Sequence, residues 1–180
     1  MNWISCRLIG ISAACVVGAF APTVNAQTYQ ELAQQAVVEL CPELMEIETP
    51  LGEVERVIGL GYKSVATREH PRMGTLDVVE IDTDGGHIMI ANSRTASFCQ
   101  VGLEGAGARS AYEAIYADRA NLDPTLVPDN SSEAPNPSMT LVTLRTPPID
   151  GVYYGVQFMD MSDIDQTAPL IVQQYLLSEN

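Results

Sequence analysis

The chain has 180 residues, is 46% hydrophobic, and sets 23 acids against 9 Lys and Arg for a formal net charge of −14. That balance repels phosphate backbones and anionic headgroups, so it argues against nucleic acid or membrane-surface partners and favours a cationic protein, a cationic peptide or a metal cation. Its one long apolar run, residues 8–20, is 13 residues long, short of the roughly 20 that cross a bilayer.

That run follows Arg7 and precedes Pro22, and Val24-Asn25-Ala26 places small or modest side chains at the −3 and −1 subsites of a signal peptidase. The expectation is a cleavable signal peptide over 1–26, with the working chain, 27–180, beginning at Gln27 after Ala26. Lipidation at Cys15 is the rival, but Ser12 stands where a leucine-like residue belongs. Removal of 1–26 takes away one cation and no acid, leaving 8 against 23, a net charge of −15. It also removes Cys6 and Cys15. The two cysteines that remain, Cys41 and Cys99, read as one disulfide in an oxidising compartment, the periplasm or the extracellular space. No membrane span is expected after cleavage.

The first predicted element is a helix. Thr28 and Glu31 form a capping box, and Leu32, Ala33, Ala36, Val37 and Leu40 fall on one helical face. Pro42 is expected to end or kink it near Cys41. Residues 50–60 predict a second, short helix, with Pro50 in its first turn. Strands follow at 75–82 and 87–92, joined through Thr83-Asp84-Gly85-Gly86, a hairpin turn that tolerates positive φ. A third strand over 97–103 puts Cys99, Val101 and Leu103 on one face. Ser110 with Glu113 predicts a capped helix to about residue 120, with Arg119 suited to the dipole at its end. Residues 121–138 hold four prolines and predict a mobile surface loop. Three more strands are expected at 139–145, 152–161 and 170–177.

The predicted fold is therefore one two-layer α+β domain, in the order helix-helix-βββ-helix-βββ. An antiparallel sheet of about six strands carries the N-terminal helices and a central helix on one face.

Few residues carry chemistry. Asp82-Thr83-Asp84-Gly85-Gly86-His87 resembles a calcium loop, but Gly86 and Ser93 fall where oxygen ligands are needed, so it reads as a plain turn. Asp160, Asp163 and Asp165 are weak metal candidates, and no specific metal site is expected. Arg68-Glu69-His70-Pro71-Arg72 is the best cationic patch. Arg68, His70 and Arg72, with His87, are the candidate ligand-binding residues, because arginine forks match carboxylates and phosphates. His70 and His87 are the only histidines, and none of the common nucleophile or metalloprotease motifs is present. The glycines at 102, 105 and 107 run in the reverse of the dinucleotide order and read as a strand-to-helix turn. No cofactor is implied. The function expected is an exported, acidic, non-enzymatic binding module, recognising a cationic protein or peptide. The alternatives are a small hydrolase-like enzyme using His70 or His87, or an accessory subunit of an envelope assembly.

Overall fold

A computed structural model describes residues 27–71, 73–131, 134, 136–162 and 169–178. The signal segment and its cleavage residue Ala26 lie outside the described residues; Gln27 is the first of them.

Thr28 caps α1 (Tyr29–Gln35) as its sequence dictates, its side chain accepting from the Glu31 N–H while Glu31 reaches back to the Thr28 N–H at 2.8 Å. The helix does not end at Pro42. It widens into a π-helical turn (Ala36–Leu40) and resumes as α2 (Cys41–Leu44). Pro42 has no N–H to return to the preceding turn, and the wider turn absorbs the missing bond. A 3-10 turn (Leu51–Glu53) and α3 (Glu55–Gly59) replace the predicted second helix.

Four antiparallel strands follow: β1 (Lys63–His70), β2 (Gly74–Thr83), β3 (Gly86–Ser93) and β4 (Phe98–Glu104). After α4 (Ala108–Ala117) and a 3-10 turn (Arg119–Asn121) come β5 (Val127–Pro128), β6 (Thr140–Arg145), β7 (Val152–Asp160) and β8 (Leu170–Ser178). Among the described residues the sheet has eight strands in the order β1-β2-β3-β4-β8-β7-β6-β5, rather than about six. It consists of two four-stranded meanders whose last strands, β4 and β8, pair at the centre. β1 escapes the sequence reading because nearly all of it is exposed and a bulge between Ser64 and Ala66 interrupts its register. β5 lies inside the proline-rich segment expected as a loop. α4 starts two residues before Ser110 and has no side-chain cap, so the second capping box does not form.

The helices of the described residues lie on one face, as a second layer. The core between the layers holds Val37, Leu40 and Leu44 from the helical hairpin, Ile115 from α4, and Ile88, Ile90, Val101, Leu103, Phe158 and Val172 from the sheet. Tyr112 and Tyr116 both meet Phe158 edge-on, at 5.8 and 5.1 Å between centroids.

One row of the sheet fastens the first helix. Asn92, Cys99 and Gln174 are cross-strand neighbours on β3, β4 and β8, all facing the helices. Above them lie Leu44, Cys41 and Val37, spaced to share one helical face. Asn92 Nδ2 donates to the Leu44 carbonyl at 3.0 Å, Cys99 is bonded to Cys41 with Cα atoms 5.4 Å apart, and Gln174 Nε2 donates to the Val37 carbonyl at 2.6 Å. The expected disulfide is present, and two amides flank it.

The glycine-rich turns close the opposite end. Thr83 pairs with Gly86 across a two-residue turn, so Asp84-Gly85 is a hairpin tip. A Cβ on Gly85 would stand 2.5 Å from Tyr29 Cβ, and one on Gly107 would stand 2.8 Å from the Tyr29 ring. Glycine at both positions lets the Tyr29 ring sit between the two loops, and its hydroxyl donates to the carbonyls of His87 and Glu104.

Candidate functional site

Among the described residues, no helix lies on the other face of the sheet. Register aligns the side chains of alternate residues in rows there. One row runs Arg68, Leu76, Ser93 from β1 to β3, then continues through Phe98, Tyr175, Gly155 and Arg145 on β4, β8, β7 and β6. The next runs Ala66, Val78, Ala91, Gln100, Gln173, Gln157 and Thr143. Val78, Ala91, Phe98 and Thr143 on this face are buried although no helix among the described residues covers them.

Two adjoining hollows occupy it. The smaller, about 210 Å³, is floored by Val78, Met89 and Ala91 and rimmed by Arg68 and His70. The larger, about 330 Å³, holds Tyr153, Tyr175, Gln157, Arg145 and Asp129. Met73, Phe98 and Gln173 line both, making one groove across the central strands.

Its larger half combines flat aromatic and polar groups. A Cβ on Gly155 would come within 2.2 Å of Tyr175 Cε2 and 2.4 Å of Cζ. The Tyr175 ring therefore lies down across the neighbouring strand, and only glycine leaves it room. Burial pushes its phenol up to about 12, with the charge of Tyr153 and then of Asp129 adding to the rise. The Arg145 guanidinium lies 5.6 Å from the Tyr153 ring centroid and 3.8 Å from Asp129 Oδ2. Ser131 donates to Asp129 through both its N–H and its hydroxyl, which lowers that carboxyl below the ordinary range. On the floor, Gln173 Nε2 donates to Gln100 Oε1 at 2.7 Å, and Gln157 Nε2 approaches Thr143 Oγ1 at 3.4 Å. Each amide thus spends one half on a neighbour. The Gln173 and Gln157 carbonyl oxygens and the Gln100 amino group make no further hydrogen bond among the described residues.

The residues singled out in the sequence fall in different places. Arg68 and His70 stand together at the narrow end of the groove, and His70 Nδ1 accepts from the Met73 N–H at 3.2 Å. Arg72 lies outside the described residues. His87 is at the far end of the strands, paired in register with Asp82. Its Nδ1 is 2.9 Å from Asp82 Oδ1 and its Nε2 is 3.7 Å from Glu80, so both ring nitrogens face carboxylates. The cationic patch and His87 do not form one site. Asp160 is engaged on both oxygens: Arg109 Nη1 donates to Oδ2 at 2.6 Å, and Ser162 donates to Oδ1 through its N–H and its hydroxyl. These bonds, the Arg109 one foremost, hold the Asp160 carboxyl down at about 2. Asp163 and Asp165 lie outside the described residues. Among the described residues no three His, Cys, Asp or Glu side chains are grouped to hold a metal ion.

Tyr175, Gln100, Gln157, Gln173 and Arg145 are not among the residues the sequence singles out. A signal for some of them exists: Tyr153-x-Gly155-x-Gln157 and Gln173-x-Tyr175 are the outward positions of strands whose inward positions face the core. Polar and aromatic residues at outward positions are ordinary on a solvated face, however. The site emerges only when the two meanders join.

No protein-family model, no curated protein and no solved structure matches this chain.

Proposed function

We propose that the chain is an exported, non-enzymatic binding module that takes its ligand in the groove across the helix-free sheet face. The observation that carries this is the run of outward-facing amides and rings from β4 to β7 over a recessed floor, since pockets that bind small ligands join apolar walls to a few converging polar groups. Export is supported by the signal-like residues 1–26 and by the Cys41–Cys99 disulfide, which belongs in an oxidising compartment. No helix among the described residues is long and apolar enough to cross a membrane. Against a hydrolase using His87 stands the pair of carboxylates at its ring nitrogens, which leaves neither nitrogen directed at a nucleophile.

A cationic protein or peptide would dock elsewhere. From Gln27 to Tyr62 the chain holds seven glutamates and one cation, Arg56, which is bonded to Glu39 and Glu43. That helical surface, not the groove, carries the charge complementary to such a partner.

Titration of 15N-labelled residues 27–180 with a small-fragment library tests the groove. Binders should shift the side-chain amides of Gln100, Gln157 and Gln173 first. Shifts confined to the helical layer would reject the groove. Intact-mass measurement on the exported protein should give a chain beginning at Gln27.

A further inference from the structure

From the chemistry of the larger hollow we infer that the groove takes a neutral saccharide, a pyranose chain whose flat apolar face lies on Tyr175 while its hydroxyls bond the floor amides. This rests on the binding reading above and names the ligand class.

Charge decides first among the ligand classes. Within the hollow Arg145 stands beside Asp129, 3.8 Å away, so neither sign is left to attract an ion, and the net charge of −14 repels anions approaching from solution. A cationic ligand would meet Arg68 at the narrow end of the groove. An uncharged ligand fits.

Polarity decides next. A lipid or other fully apolar ligand would bury the outward halves of Gln100, Gln157 and Gln173 against hydrocarbon. Each amide buried without a partner costs about 1–3 kcal/mol, enough to cancel the gain from the rings. A ligand dense in groups that both donate and accept satisfies them instead, because an amide offers both on one flat end. A peptide laid on this face lacks the usual source of affinity, since strand addition depends on free backbone groups at a sheet edge. Here the backbone of β4, β8, β7 and β6 is paired within the sheet plane.

Shape decides last. Tyr175 lies down over Gly155, so one side of its ring rests on the strand and the other is turned to the groove. Phe98 pairs with it across the sheet, and Arg145 lies over Tyr153. A ring laid flat beside a row of amides matches a pyranose, which is apolar on its C–H faces and polar around its rim. The hollow of about 330 Å³ is open along the groove, so a chain of sugars can extend toward Met73 and Arg68.

The test is a 15N NMR titration of residues 27–180 with cellohexaose, fully N-acetylated chitohexaose and maltohexaose, each to about 10 mM, which detects millimolar affinity and tighter. At least one should shift the Gln157 and Gln173 side-chain amides together with the Tyr175 backbone. For that sugar, Tyr175→Ala should weaken binding about tenfold or more, the order of one lost aromatic contact. Tyr175→Phe keeps the ring and should bind within about threefold. Gln157→Leu, at a partly exposed site, should also weaken it while the spectrum stays folded. Should none of the three sugars bind while other fragments shift the groove amides, the saccharide inference falls and the groove reading stands. Should a sugar bind with Tyr175→Ala unaffected, the placement on Tyr175 is wrong. Should nothing bind the groove, both fall.

Discussion

Gln174 Nε2 donates to the carbonyl of Val37 at 2.6 Å, from a side chain with no exposed surface. Pro42, five residues after Val37, cannot donate back into the π turn, and the amide of a strand 137 residues away takes its place. The same side chain accepts from the Tyr154 hydroxyl at 2.8 Å, so both halves of a buried amide are satisfied. Gln174→Leu should leave the Val37 carbonyl and the Tyr154 hydroxyl without partners and destabilise the fold by about 2–4 kcal/mol. Gln173→Leu, its outward neighbour, should cost under about 0.5 kcal/mol. Urea denaturation of the two variants side by side decides it. Equal midpoints would show that the Val37 bond contributes nothing.

The disulfide beside Gln174 closes a loop of sequence separation 58, and removing such a cross-link costs about 4 kcal/mol in the chain-entropy account. Thiol titration of denatured, unreduced protein should find no free thiol from Cys41 or Cys99. The Cys41→Ala/Cys99→Ala variant should melt well below the parent. An unchanged melting temperature would mean that the flanking amides alone hold the helix.

Arg109 and Asp160 tie α4 to the end of β7. The folded Asp160 carboxyl keeps its charge down to about pH 2, whereas the unfolded chain takes up that proton near 3.8. The pair therefore favours the fold at neutral pH, and its contribution fades as pH falls from about 4 toward 2. Arg109→Met should raise the Asp160 titration midpoint, followed by carboxyl NMR. It should lower stability at pH 7, and the gap to the parent should shrink steadily as pH falls from about 4 toward 2. A stability gap that persists unchanged at pH 2 would show that the arginine acts through packing instead.

Gly155 and Tyr175 make a second coupled pair, on the opposite face. Gly155→Val would place atoms where the ring lies, at a cost of about 1–3 kcal/mol for overpacking. Forced upright, Tyr175 would lose the burial that holds its phenol at about 12. Ultraviolet titration should then show one tyrosine moving down toward 10. An unaltered titration curve would place the ring elsewhere than over Gly155.

Local pattern made a good part of this protein legible from its residues. The capping box at Thr28 and Glu31, the Asp84-Gly85 hairpin, the alternation of Cys99, Val101 and Leu103, and the three closing strands each depend on neighbours within a few positions. Hydrogen-bond geometry and side-chain period act at that range. The α+β class and the pairing of Cys41 with Cys99 followed from the same patterns. What the sequence did not show depends on distant partners. Pro42 reads as a stop or a kink because its own bonds are local, and only an amide from β8 decides that the helix runs on to Leu44. β1 has no buried stripe and exists as a strand because β2 supplies its hydrogen bonds. The groove is assembled only when β8 pairs with β4, bringing Tyr175 beside Phe98 and Gln173 beside Gln100. That pairing joins segments some seventy residues apart, and no local period encodes which strand edge will meet which. Tertiary packing alone selects it, through the core that the helices seal on the other face.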